Sequence, residues 1–428
     1  MSNFFEIYYQ YVKDTEPPPN FHAWSAIGAI SALLGKKCII PQGDFTVDPQ
    51  TYIILVGQPG LKKSTAMGIA KALVKSVEGV RTASDSGSRE GLMDEMTKNE
   101  IRPSRVGEKW LPYWQSAIFV DEIADLLGGD HLDASMVRFL TTIWGQKHYK
   151  EATRKSGQVD IHNPYLTVFG CCPTKWVNTK LSADVITDGL SRRTIFVLED
   201  KLNTLNPWPV SSHAREQKLV VLKSIAARMH QVHGTFRLTE KALDLYCRTY
   251  YKIQTDLDKK PEKMQAYFSS KHVLILKLCM CLSAGVNSDK IVTSGMVLVA
   301  CDFLAQSERN LATVYSGVRR NELKSHSDRV LEKIRSHGPA GTTKAEIVRS
   351  FYDDMNAAEI NEVFEVLQVS EQIKPTIEVA QDAPRFVAKV AVELPAQRDL
   401  MQLARQLMPY SALSEGEIVS SEQEHRPD

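Results

Sequence analysis

Apolar positions along the chain fall into short unbroken runs and longer periodic ones. TYIILV (51–56), AIFV before Asp121, PYLTVFGCC (164–172) and RRTIFVLED (192–200) have the length and composition of buried strands. Between them, STAMGIAKALVKSVEG, the stretch 88–98 and MVRFLTTIWG place apolar residues at helical spacing, the first stopping at Gly79. Strands alternating with helices predict an α/β fold with a parallel sheet and crossover connections. Ahead of them, 2–13 and 20–34 read as helices split by the breaker Pro17-Pro18-Pro19, and KKCII as a short strand.

The pattern changes twice further on. From 213 to 318 only helical spacing is expected, with HVLILKLCMCLSAG apolar on nearly every side. Residues 326–392 then carry three short helical patterns followed by two alternating runs, KPTIEV and RFVAKVAVEL, an order that resembles a winged helix. The predicted organisation is a helical segment with its leading strand (1–50), a sheet-bearing core (51–210), an all-helical region (211–322), a winged-helix-like domain (323–395) and a C-terminal helix with a polar, mostly acidic tail (396–428) expected to be disordered.

Composition adds exclusions. With 428 residues, 43% of them hydrophobic, the chain can bury more than one core, and a net charge of +1 gives no global basicity, so any nucleic-acid contact must come from local patches. The seven cysteines form no C-x-x-C pair and have no matching histidine spacing, which argues against zinc and against a disulfide framework. No signal peptide and no apolar stretch of membrane-spanning length is read, giving a reduced cytoplasmic location with no membrane partner as the expectation.

The candidate chemistry begins at 57–65, GQPGLKKST, directly behind the first apolar strand. Phosphate-binding loops read G-x-x-x-x-G-K-[ST], and here Lys62 holds the place of the second glycine. Such a loop between strand and helix aims backbone N–H groups at one point, where the helix dipole adds positive potential. Gly57 and Gly60 allow the tight turn, Pro59 stiffens it, Lys63 reaches the β- and γ-phosphates of ATP, Ser64 binds Mg²⁺, and Thr65 follows at the helix start. A non-glycine at 62 is tolerated if its dihedrals stay negative, and its charge has the right sign. Asp121 and Glu122 close the strand AIFV and supply the acidic partner such a loop needs, Asp121 for the metal shell and Glu122 to polarise the attacking water. The two half-sites are expected to meet across adjacent strand ends.

The order GQPGLKKST, IFVDE, VFGCCPT, GLSRR resembles an AAA+ type ATPase core with its P-loop. FHAWSAIGAISALLGKK, the K-K-S form of the loop and NPYLTVFGCCPT look like helicase-like ATPases of phages and mobile elements, many of them primase- or helicase-associated. GLSRRTIFVLED is similar to the S-R-F segment of minichromosome maintenance helicases. The resemblance covers roughly 20–310. It implies an arginine finger at Arg192 acting on a neighbouring subunit, with Arg193 where that family has phenylalanine, so that either arginine could act. It puts Cys172 at the sensor position, usually asparagine, where the thiol is a weak hydrogen-bonding group, so that either Thr174 takes over or the role is diminished. It makes the helical region a lid, with Lys271 as a second sensor.

KHYKEATRKSGQVD is predicted to be a hairpin turning at Ser156-Gly157; the resemblance to ring helicases implies that Lys150, Arg154 and Lys155 touch phosphates of single-stranded DNA in a central channel, while the residues alone equally suit a solvated hairpin whose charges protect an exposed edge. The would-be recognition helix, NAAEINEVFEVLQ, carries Glu359, Glu362 and Glu365 and no basic residue, which suits packing or regulation better than groove reading. The leading expectation is a ring-forming, hexamer-like, Mg²⁺- and ATP-dependent DNA motor of a phage or mobile element in a bacterial host cell, with a primase or polymerase as partner. A non-unwinding AAA+ regulator or loader, a P-loop phosphotransferase and a non-hydrolysing binding module remain as alternatives.

Overall fold

The computed structural model describes residues 3–83, 88–98, 100–101, 113–128, 133–145, 147–153, 157–180, 189–208, 212–260, 262–309, 318–338, 341–351, 355, 357–369, 372–376 and 385–388. The chain divides into two compact units, one built on Met1–Tyr315 and the other on Ser316–Gln397.

The first unit opens with the expected helices Phe4–Val12 (α1) and Pro19–Leu34 (α2), the latter starting on a proline, whose missing N–H costs nothing at a first helical position. Cys38–Gln42 (β1) and Phe45–Val47 (β2) form an antiparallel ribbon. The core strands follow as Tyr52–Val56 (β3), Glu100–Ile101 (β4), Tyr113–Val120 (β5), Pro164–Cys172 (β8) and Thr194–Leu198 (β9). His148–Thr153 (β6) and Gly157–His162 (β7) pair separately as a hairpin. The central sheet runs β4-β5-β8-β3-β9, with β5, β8, β3 and β9 parallel and β4 antiparallel at the edge. The continuous apolar runs are explained by position: every residue of β3, β5 and β8 is buried.

Helices cover both faces of this sheet. Phe169 of β8 points to Gly28 of α2, so close that a Cβ there would lie 2.4 Å from the ring. The next residue, Gly170, faces the other way, onto Ile123 at the start of Ile123–Leu126 (α5). Lys63–Lys75 (α3) packs with α2 on the Phe169 side, where Cys171 Sγ meets Met67 Sδ at 3.9 Å. Arg89–Thr97 (α4), Ala134–Ile143 (α6) and Thr174–Lys180 (α7) complete the connections.

The helical region 213–309 is not a separate body: residues from Phe4 to Leu304 share one apolar core. It also contains short strands that helical spacing did not predict. Gly234–Thr235 joins β1 in parallel, and Arg237–Leu238 pairs with Ile291–Val292. Its longest helix, Glu262–Val286, includes a span, Met264–Val286, long and apolar enough to cross a membrane, which the sequence reading had missed; 72% of its most apolar stretch is buried inside the protein.

That helix also carries a buried charge. Lys277, 2% exposed, donates to the Asp48 carbonyl at 2.8 Å and to Asp48 Oδ1 at 3.0 Å, with its ammonium 4.4 Å from the Trp144 ring centroid. Lys36 Nζ takes Asp48 Oδ2 at 2.7 Å, and the Gln50 amide donates to Oδ1. Burial alone would raise the Asp48 carboxyl, but Lys277 and Lys36 hold it well below the usual carboxylate range.

The second unit orders its elements as helix Val318–Ser336, strand Thr342–Thr343, helices Lys344–Ser350 and Ala357–Val369, then strands Ile373–Thr376 and Arg385–Ala388. The last strand lies between the other two in an antiparallel sheet. Thr343 and Glu346 form a reciprocal capping box at the second helix. Residues 377–384 and the predicted C-terminal helix and tail (396–428) lie outside the described residues.

Asp48→Asn leaves Lys277 buried without its full counter-charge, and chemical denaturation should show a loss of about 3–5 kcal/mol. The double variant Asp48→Asn/Lys277→Met should recover much of it. Because the folded carboxylate titrates below its unfolded value of about 4, its contribution is present above that pH and disappears as pH falls through the folded value. An acid-denaturation curve of Asp48→Asn should therefore be flatter on the acid side than that of the native protein.

Candidate functional site

The loop 57–62 leaves the C-terminal end of β3 and enters α3 at Lys63. Gly57 is buried and its amide donates to the Cys172 carbonyl at 3.2 Å. A Cβ there would lie 2.7 Å from Leu61 Cδ1 and 2.9 Å from the Glu199 carbonyl, so the position admits only glycine without rearrangement. Pro59, Gly60, Ser64 and Thr65 are exposed along the loop and the first turn of the helix, and Gly60 turns with φ +92°. Lys63 Nζ donates to the carbonyls of Gly57 and Gln58 at 2.7 and 3.0 Å, folding its ammonium over the loop.

Lys62 overturns one expectation. Its φ is 56° and ψ 32°, the left-handed region, not the negative dihedrals that would have made a non-glycine easy. The turn demands the glycine conformation and lysine adopts it at the cost of a crowded Cβ. Its ammonium pairs with Glu16 Oε2 at 3.1 Å, and Lys62, together with the Asn206 amide, holds that exposed carboxyl below its ordinary value.

Asp121 and Glu122 follow β5 directly and are both exposed. They do not sit on the strand next to the loop: β8 lies between β5 and β3. At about 4.8 Å per strand the separation is roughly 10 Å, because β8 is inserted between β5 and β3. The acids nonetheless face the same region as the loop lysine. Burial pushes the Cys171 thiol, at the end of β8, up to about 12, with Asp121 and Glu122 raising it further and Lys63 opposing them. Cys172 is likewise raised by burial and Glu122 and lowered by Lys63. Cys171 thus lies in the field of all three charges and Cys172 in that of Glu122 and Lys63.

Gly170 is a contribution that motif reading missed. A Cβ there would lie 2.8 Å from Ile123 Cδ1, so the absent side chain lets the turn carrying both acids settle onto β8. Its signal was visible as a glycine inside an otherwise bulky strand. Asn20 is a second: its amide donates to Glu199 Oε1 at 2.5 Å, beside Gly57. Of the sensor candidates, Cys172 is buried with its thiol directed to the Pro173 carbonyl at 3.3 Å, and Thr174 is half-buried at the first position of α7.

The remaining cations lie elsewhere. Arg192 and Arg193 precede β9, and Thr194 pairs with Tyr52, the first residue of β3, so both arginines stand at the opposite end of the strands from the loop. Arg192 is exposed. Arg193 donates to the Gly189 carbonyl at 2.7 Å and is half-buried; burial, with Arg192 beside it, draws its guanidinium down to about 10. Together with Trp144, Ser270, Val273 and Leu274 they line a cleft of about 210 Å³. Lys271, expected to face the nucleotide, is instead paired with Glu308 at 2.7 Å, on the helix whose neighbouring residues line this arginine cleft.

The hairpin forms as predicted, except that Gly157 pairs with Thr153 and belongs to the strand, not the turn. Lys150 is exposed and pairs with Asp160 at 3.2 Å. Arg154 and Lys155 lie outside the described residues.

Compared with protein-family models and with curated proteins, the sequence matches none.

Replacing Lys62 by glycine should raise stability by about 1 kcal/mol in denaturant titrations, since the left-handed conformation no longer opposes a side chain and the exposed pair it gives up adds little. Gly57→Ala should act in the opposite sense, costing about 1–3 kcal/mol through the clash with the Glu199 carbonyl.

Proposed function

We propose that this chain is an ATP-dependent motor acting on DNA, built on a P-loop core of AAA+ type, with a helical lid region and a winged-helix-like domain, and working as a ring in the replication of a phage or mobile element. The observation that carries the reading is that the loop leading to Lys63 leaves β3 and the acids Asp121 and Glu122 leave β5 at the same edge of the parallel sheet, on either side of the end of β8. Carboxylates and an ammonium held at the C-terminal edge of a parallel sheet, beside a helix N-terminus, form the charge arrangement that phosphoryl transfer from a nucleotide needs.

The donor set fits Mg²⁺: the Ser64 hydroxyl and the Asp121 carboxylate are both exposed oxygens, the ligand type that ion takes. When bound, the ion neutralises charge on the phosphate oxygens. The chain's own groups do the rest. Lys63 exchanges its two loop carbonyls for the β- and γ-phosphates, and the backbone amides of Gly60, Lys62 and Lys63 cradle them. Glu122 orients and polarises the attacking water. Arg192 lies a full strand away from its own loop, about 16 Å for the five residues of β9, so it is suited to a neighbouring subunit's site and not to its own. Arg193, tied to Gly189, is better placed to hold the turn that presents it.

Lys150 on the hairpin supports DNA contact in a ring, and the helix–strand order of the second unit fits a winged helix. The exposed faces of Glu362 and Glu365 keep that helix from a groove-reading role. A second reading, a non-unwinding regulator or loader, is favoured by the pairing of Lys150 with Asp160, which leaves this cation partly neutralised.

Lys63→Ala should lower ATPase turnover by about 10²–10³ and Arg192→Ala by about 10³ or more. Mixing the two inactive variants should restore part of the activity, because an interface can then combine an intact loop with an intact arginine. Unchanged turnover in Lys63→Ala removes the site, and no recovery on mixing removes the shared interface. Turnover measured with and without single-stranded DNA, alongside mass in ATP, tests the motor; a forked duplex bound but not separated selects the regulator.

A further inference from the structure

The base of the β6–β7 hairpin carries a cluster that nucleotide chemistry does not use. His148 and His162 are direct cross-strand partners, and Asp160, two residues before His162, projects on the same face opposite Lys150. The Asn163 amide donates to the Lys147 carbonyl at 2.8 Å, which makes 147 and 163 a hydrogen-bonded pair. The alternation of an antiparallel ladder then makes both His148–His162 and Lys150–Asp160 non-hydrogen-bonded pairs, the kind whose side chains stand closest.

The side chains use that closeness. The two imidazoles stack with centroids 4.6 Å apart and planes 10° from parallel. His148 Nε2 contacts Asp160 Oδ1, and His162 Nε2 lies 3.7 Å from the same oxygen. A ligand atom from each of the three falls within 4.8 Å of the other two. Lys150 Nζ holds the second oxygen, Oδ2, at 3.2 Å, which keeps Oδ1 turned toward the histidines.

We propose that His148, Asp160 and His162 bind a single divalent d-block cation of the zinc class, through the two Nε2 atoms and Oδ1, with a fourth position open to water. Bonds of about 2.0–2.2 Å at tetrahedral angles set ligand atoms roughly 3.4 Å apart, so the present cluster closes on an ion with side-chain rotations of about an ångström. Two imidazoles select such an ion over Mg²⁺ or Ca²⁺, which take oxygen ligands. The ion cross-links the two strands where the hairpin leaves the core, fixing their register independently of any nucleotide.

The test is calorimetric titration of the full-length, chelator-stripped chain with ZnCl₂, followed by Co²⁺ absorption. One saturating equivalent is expected, with Co²⁺ d–d bands of a nitrogen–oxygen site and no thiolate charge-transfer band. His148→Ala/His162→Ala, at exposed positions and checked for folding by circular dichroism, should lose that equivalent, and Asp160→Asn should weaken it. Absence of saturable binding, a thiolate band, or an equivalent that persists in the double histidine variant overturns the assignment.

Discussion

The first unit hangs on a carboxylate sealed inside it. Asp48 sits just ahead of β3 and takes charge from Lys277 of the long helix and from Lys36 after α2. Three distant segments therefore meet at one ionised group, and none can move without leaving a buried charge uncompensated. That constraint explains why the helical region shares one core with the sheet. It also explains how a helix apolar enough for a membrane carries a lysine in its middle: the ammonium is satisfied by Asp48 and lies against Trp144.

With β3 anchored at its start, the geometry at its other end follows. The parallel strands β5, β8 and β3 deliver the acids, two thiols and the glycine loop to one edge, and small residues decide how tightly these approach. Gly57 admits the Glu199 carbonyl and Gly170 admits Ile123. The loop lysine turns onto its own carbonyls, those of Gly57 and Gln58. The arginines at the far edge cannot share that site within one chain, which is why the proposed activity needs a second copy.

Much of the candidate site was legible before any coordinates. The loop, the acidic pair and the strand between them were identified from short apolar runs and the residues that end them, because those signals are local. What was misread depends on longer range. The sign of φ at Lys62 follows from the turn the sheet imposes, and the insertion of β8 between the half-sites follows from strand order, neither of which spacing encodes. Lys271 was assigned by position on a helix, but Glu308 from the next helix claims it. The cysteine spacing that argues against zinc says nothing of His148, Asp160 and His162, which match no linear metal motif; the hairpin register alone brings them to one face.

The sequence by itself determined the elements: where strands are buried, where helices stop, and where a glycine turn joins a buried strand to a helix, since periodicity, glycine and proline act within a few residues. Tertiary structure decided which charges are spent and which are free. Lys277, Lys271 and Lys62 look alike in one dimension, yet one is a buried strut, one a half-buried pair and one an exposed partner of Glu16. A side chain's charge is written in the chain, but its partner and its solvent are chosen only when distant segments pack.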